Sequence, residues 1–262
     1  EFPDAVLTIA PTRNGSSTPV DKIVANGFVP KAALSLGGHQ FGALANHLPT
    51  KLRKSLGVIV DKEVDVVIDA AGFAYSDQWG PSRSRELADS AKRWRRQGTK
   101  VILMPQAFGP FKKRSTRAAM LEAVSNVDLI IARENRSYKY LTEIVGELDH
   151  ILQFPDFTNL IDGVTPEYFN RDKFRVCIVP NYRMVDKTES TKSAGYIPFM
   201  VACARELSKR EAKPFLLVHE GKRDRWLAEK ISEGAGGLPT LVETNPLKIK
   251  GVIGASFAMI GS

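Results

Sequence analysis

The chain has 262 residues, 43% hydrophobic and 25% charged, enough for a substantial core and for one large domain or two ordinary ones. Its 37 Lys and Arg against 29 Asp and Glu leave a net charge of +8, which suits acidic partners: nucleic acid, anionic headgroups or phosphorylated small molecules. No apolar run approaches about 18 residues and no basic stretch precedes an apolar core near the start, so the sequence predicts neither a membrane span nor a secretory signal.

Cys177 and Cys203 sit in apolar surroundings without metal-ligand spacing and read as reduced core thiols of a cytoplasmic protein. Residues 5–10 (AVLTIA) read as a short buried strand, and PTRNGSSTP after it as a loop of turn formers. Gly37, Gly38 and His39 interrupt the next segment, and residues 41–56 have helical spacing broken at Pro49. From Val64 the pattern turns regular. Val64, Val66, Val67 and Ile68 predict a strand buried on both faces of a parallel sheet. Ala70, Ala71 and Gly72 then let the backbone turn tightly. A helix over residues 84–97 puts Leu87, Ala91 and Trp94 on one face and stops before Gly98. A strand over 100–105 runs into QAFGPFKKRST, with a helix over 116–124 after it. A strand over 127–132 runs into RENRSYKYL, where Tyr138 and Leu141 recur at helical spacing. A strand over 151–154 ends in PDFTN.

Parallel strands need crossovers, so this alternation predicts an α/β fold whose first domain, residues 1–165, is a doubly wound, Rossmann-like parallel sheet. After Pro166 the alternation restarts with strands over 175–180, 214–219, 240–242 and 257–260 and helices over 195–209 and 223–232. This is a second Rossmann-like domain, residues 166–262. With no room for a βα unit before the first strand and no helix after the last, the chain reads as cut short at both ends.

No Walker loop, no GxGxxG after a strand, no HExxH and no nucleophile elbow occurs, so the common motif-bearing nucleotide and hydrolase classes lose support. What recurs is an apolar strand followed by a small or polar turn: AGFAYSDQWG, QAFGP, RENRS, PDFTN, PNYR and HEGKRD. Ligands of open α/β sheets sit beyond the carboxyl ends of the strands, so six such turns predict a cleft between two sheets. Its candidate lining is Gly72, Ser76, Asp77, Arg133, Asn181, Arg183, His219 and Glu220, with Tyr75 and Trp79 beside them. Arg133 ends a strand and opens a helix, where a guanidinium fork can hold a phosphate or carboxylate. The competing reading is an ion pair with Glu134 or Asp156. Asp77 or Ser82 can equally cap the next helix, and His219 can be a structural hydrogen-bond partner. The three tryptophans are not interleaved with basic residues along a strand, so no nucleic-acid partner is expected.

The order of DAAGFAYSDQW, KVILMPQAFGPF, DLIIARENRSYKYL, FPDFTN, VCIVPNYR, HEGKRDRWLAEKI and GVIGASFAMIGS resembles the polysaccharide pyruvyl transferase family. The resemblance implies two Rossmann-like domains in a glycosyltransferase-B-like arrangement. It also implies transfer of a pyruvyl group from phosphoenolpyruvate to a sugar of a polysaccharide or lipid-linked glycan, giving a pyruvate ketal. Phosphoenolpyruvate would be the donor substrate, with no cofactor, and a lipid-linked acceptor leaves room for peripheral membrane association. Arg133 would take the donor's anionic groups. The family's Arg-x-His signature, which supplies a general acid, follows directly after a segment like FAMIGS and would fall beyond Ser262, leaving His219 as the candidate within the chain. The family's opening glycine-rich turn with Gly-Asp does not precede Glu1. Two other readings stay open at this level: a nucleotide-sugar glycosyltransferase of the same architecture, and a non-catalytic glycan-binding protein.

Overall fold

The computed structural model describes residues 3–261 except positions 11, 14, 15, 33, 34, 37, 38 and 41. Gly37, Gly38 and Phe41 of the interrupted segment, and Ser262, lie outside the described residues. The chain divides into two compact units, Glu1–Phe157 and Thr158–Ser262.

In the first unit the strand expected over residues 5–10 narrows to Thr8–Ile9, which pairs in parallel with Val29–Pro30. The loop after it carries Thr12–Arg13 and Ser16–Ser17 as an antiparallel pair. The break at Pro49 separates helix Gly42–Ala45 from helix Thr50–Leu56. Asp61 is fully buried and takes ion pairs from Lys31 and from Arg93. A carboxylate out of water is tolerable only with such partners, so it fastens this N-terminal stretch to the layers that follow.

Those layers are four parallel strands, β1 (Val66–Asp69), β2 (Lys100–Gln106), β3 (Leu129–Ala132) and β4 (Ile151–Gln153), in the order β4-β3-β2-β1. The crossovers are α1 (Pro81–Arg96), α2 (Arg114–Val124) and α3 (Asn135–Val145). Pro81 starts α1 with a preset φ and no donor to satisfy, and Gly98 at φ +84° follows its end as the sequence predicts. Leu87, Ala91, Met120, Ala123 and Leu141 from these helices pack against Val67, Val101, Leu103, Ile130 and Ile151. Period-2 alternation turns the remaining strand residues to the opposite face. There Val66 is 45% and Ile68 60% exposed, which corrects the expectation that this strand is buried on both sides. The cause is topological: β1 is an edge strand, and the helices of the described β1 to β4 layer all cover one face of it.

The second unit is wound on both faces. Its strands β5 (Val176–Val179), β6 (Pro214–Val218), β7 (Thr240–Val242) and β8 (Ala258–Gly261) are parallel, in the order β7-β6-β5-β8. Helices α4 (Ser190–Lys209) and α5 (Lys222–Gly234) bury Tyr196, Met200, Leu227 and Ile231 against Ile178, Leu216 and Val218. On the opposite face α6 (Pro246–Ala255) packs Val252 against Cys177, Phe215 and Leu217. The sequence reading missed α6, because Ile249, Val252 and Ile253 with Gly251 and Gly254 read against a helix. Its start was legible: Asn245 accepts the N–H groups of Leu247 (2.9 Å) and Lys248 (3.3 Å), and Pro246 follows as the first helical residue.

α6 crosses the segment at residues 163–165 at backbone contact. A Cβ on Gly251 would overlap the Val164 carbonyl, and one on Gly163 would run into the backbone of Gly251. Gly251→Ala should therefore destabilise despite the better helix former. Overpacking costs about 1–3 kcal/mol against a propensity gain of about 1. A lower chemical-denaturation midpoint checks this, and an unchanged or raised midpoint would show that the crossing yields.

Candidate functional site

Because every strand of a parallel sheet points the same way, each unit gathers its strand-end turns at one edge. In the first unit, Asp69 closes β1 and its carboxylate accepts the Ala71 N–H (2.8 Å) and the Tyr75 hydroxyl. Gly72, at φ +73°, turns the chain so that its carbonyl accepts the Ala107 N–H (2.8 Å). Tyr75 accepts the Gly109 N–H through its carbonyl (2.9 Å) and stacks on Phe108, with ring centroids 6.2 Å apart. The turn after β1 is thereby zipped to the turn after β2.

Ser76 is fully buried, and its hydroxyl accepts the Gln78 N–H (3.3 Å). Asp77 donates its N–H to Pro110 (2.9 Å), while its carboxylate accepts the N–H groups of Lys112 (2.6 Å) and Lys113 (3.2 Å). Lys113 is the cap residue of α2, so Asp77 stands where that helix would hold an anion. The capping role weighed for Asp77 is the one the geometry displays, on α2 and not on the helix directly after it.

Arg133 follows β3. Its N–H donates to Gln106 (3.1 Å), and its guanidinium pairs with Asp156 (3.2 Å) and Glu134 (3.3 Å). Both carboxylates named as its structural partners are engaged. Gln106, at the end of β2, was not singled out from sequence. It is fully buried, and neither atom of its side-chain amide has a partner among the described residues.

In the second unit the turns after β5 and β6 enclose a cavity of about 190 Å³ lined by residues 181–183 and 220–224. Asn181 turns the chain by accepting the Arg183 N–H on its side chain (3.0 Å), and its own N–H donates to the Tyr196 hydroxyl (3.1 Å). Tyr182 donates its N–H to the buried carboxylate of Asp224 (2.8 Å), tying the two turns together. Arg183 and Arg223 share one carboxylate, Asp186, at 3.1 and 3.4 Å. The Arg223 guanidinium lies over the Tyr182 ring, 5.2 Å from its centroid. Lys222 makes no ion pair among the described residues. The rim therefore carries three cations, Arg183, Lys222 and Arg223, against three carboxylates, Asp186, Glu220 and Asp224, with the Asp224 carboxylate engaged by the Tyr182 N–H.

The structure thus brings Asn181, Arg183 and Glu220 to one cavity, and Gly72, Ser76 and Asp77 to one turn. His219 follows β6 just before the cavity but is not among its lining, and its Nδ1 is buried without a partner among the described residues. Lys222, Arg223 and Asp224 entered the sequence reading only as part of the HEGKRD turn. The signal that could have found them is the charge run KRD starting directly after a strand-end glycine. Beyond β7, Tyr168 donates its hydroxyl to Glu243. Burial and this bond push the Tyr168 phenol up to about 12, and the same bond holds the Glu243 carboxyl below its usual range. Among the described residues no three His, Cys, Asp or Glu side chains group as metal ligands.

Residues 8–256 match the family model of polysaccharide pyruvyl transferase. The chain belongs to this family. Set against individually curated proteins, it has no significant match. Membership in the pyruvyl transferase family makes the chain a member of a transferase family with a glycan acceptor, and it covers both strand-end regions described above. The nucleotide-sugar and non-catalytic readings gain no support from it.

The Asp77 tie carries its own test. Asp77→Ala removes the acceptor for two backbone donors at the start of α2 and should cost about 1–2 kcal/mol, whereas Asp77→Asn retains an acceptor and should cost less. Thermal unfolding of both variants reads the difference. Equal midpoints for wild type and Asp77→Ala would show that the turn holds without it.

Proposed function

We propose that this protein transfers the pyruvyl group of phosphoenolpyruvate to hydroxyls of a polysaccharide or lipid-linked saccharide, with no resident cofactor. What supports the reading is the cavity of the second unit, lined by Arg183, Lys222 and Arg223, in a chain of the pyruvyl transferase family. Phosphoenolpyruvate carries a phosphate and a carboxylate on a small rigid enol. Arg183 and Arg223 offer planar forks for such groups and Lys222 a point charge. Asn181 and Glu220 suit neutral hydroxyls. The donor role that the resemblance assigns to Arg133 moves in this reading to the second unit, because Asp156 and Glu134 already occupy that guanidinium. Gly72, Ser76 and Asp77 act by shaping their turn. With a lipid-linked acceptor the chain would work in the cytoplasm at a membrane surface; among the described residues no helix is long and apolar enough to cross one.

In the chemistry, a general acid protonates the terminal enol carbon, which becomes the methyl group, and the adjacent carbon becomes electrophilic. One sugar hydroxyl adds there and gives up its proton. Inorganic phosphate departs with the electron pair of its C–O bond, and a second hydroxyl adds to the same carbon and gives up its proton to close the ketal. Cations on the phosphate and carboxylate lower the barrier by holding the charge that develops as phosphate leaves. His219, with its unpartnered Nδ1 at the strand end beside the cavity, is the proton donor this unit offers.

Calorimetric titration tests the donor. Phosphoenolpyruvate should bind more tightly than a nucleotide diphosphate sugar. Arg183→Ala and Arg223→Ala should each weaken it by about tenfold to a hundredfold, the loss of one charge-assisted contact. Arg133→Lys should leave affinity unchanged. Tighter binding of the nucleotide sugar would sink the reading, and unaltered affinity in both arginine variants would remove the cavity from it.

A further inference from the structure

The turn between β2 and α2 and the first turns of that helix carry Lys112, Lys113, Arg114 and Arg117, all exposed. Among the described residues none of the four makes an ion pair. Arg114 and Arg117, and likewise Lys113 and Arg117, fall at helical spacings that bring like charges together, which opposes helix formation. The first turn of α2 holds no acidic residue, and cations there also oppose the helix dipole. The Lys113 ammonium donates to the Asp77 carbonyl (3.4 Å), but no carboxylate among the described residues pairs with any of the four side chains.

The cluster stands on a rigid base. Phe111 is buried beneath it, and the Asp77 carboxylate holds the Lys112 and Lys113 backbone. Two residues after Asp77 comes Trp79, 41% exposed and edge-on to Phe73 at 6.2 Å between ring centroids. A partly exposed indole two residues from the aspartate that holds this basic turn, together with four exposed cations that no carboxylate pairs among the described residues, matches the chemistry of a lipid headgroup layer. There indole settles at the polar boundary and basic side chains meet anionic headgroups.

We propose that Lys112, Lys113, Arg114 and Arg117 with Trp79 form a docking surface for a bilayer carrying anionic lipids. This extends the lipid-linked acceptor reading and rests on it for its biological purpose. Vesicle binding without donor or acceptor reads the surface separately from the transfer reaction.

The probe is sedimentation of the full chain with vesicles of phosphatidylcholine alone or mixed with phosphatidylglycerol. Binding should need phosphatidylglycerol, weaken with added salt, and shift the emission of Trp79 to the blue, a shift that Trp79→Ala abolishes. Each cation near an anionic surface contributes about fivefold, so the combined variant Lys112→Glu, Arg114→Glu, Arg117→Glu should lower partitioning by about a hundredfold or more. Those changes place acids at the start of a helix, so they should leave the thermal midpoint unchanged or raised. The control Lys173→Glu, Lys187→Glu, Lys209→Glu makes the same change in net charge and should retain most of the binding. The proposal is overturned by no binding to phosphatidylglycerol vesicles, by equal losses in both combined variants, or by retention of the chain on a soluble anionic polysaccharide but not on vesicles. The proposed donor site is unaffected by any of these results.

Discussion

Parallel strand pairing is the constraint on which the rest of this molecule depends. A parallel ladder cannot be closed by a tight hairpin, so each strand must be followed by a crossover that starts at the same edge of the sheet. In both units that edge collects the turns that follow the strands. The two units then use the edge differently. In the first, Asp69, Tyr75, Asp77 and Phe108 bind one turn to the next. In the second, the tie is made deeper, by Asp224 on the Tyr182 N–H, which leaves the space above it open between the two turns.

The order of the second sheet adds to this. From β5 the chain steps to β6 and β7, then returns by α6 to place β8 on the other side of β5. The crossovers that start from β5 and from β7 therefore lie on opposite faces, and Asn181 stands two residues after β5 on the way to α4. Ligand sites of doubly wound sheets form at such reversals. Electrostatics sharpens the position: Arg183 and Arg223 converge there on one shared carboxylate, Asp186, and Lys222 stands beside them.

Sequence pattern located nearly every strand of the two main sheets to within a residue or two, because β-branched runs ended by Gly, Pro or Asn are strong local signals. What pattern could not show was which face of a sheet the helices cover. Val66 and Ile68 look like buried residues in sequence and are exposed because the helices of the described layer pack on the opposite face of the sheet, a fact set by long-range order. α6 escaped notice for the opposite reason, since its residues are poor helix formers and packing against Cys177 and Phe215 overrides propensity. At the sites, the residue types were legible and their partners were not. Arg133 offers the same side chain whether it awaits a ligand or is already held by Asp156 and Glu134, and only coordinates tell these apart.

The exposed edge strands have a bearing on how the purified chain behaves. β1 presents Ile68 and β8 presents Met259 to solvent, and each strand has an unpaired side among the described residues. Such borders are templates for a strand from another molecule. Self-association through them would rise with protein concentration and be insensitive to salt, unlike contacts made by the basic surfaces. A lysine in place of either side chain would block that pairing and leave both strand-end regions untouched, which makes Ile68 and Met259 the positions to alter when concentrated, monodisperse material is wanted.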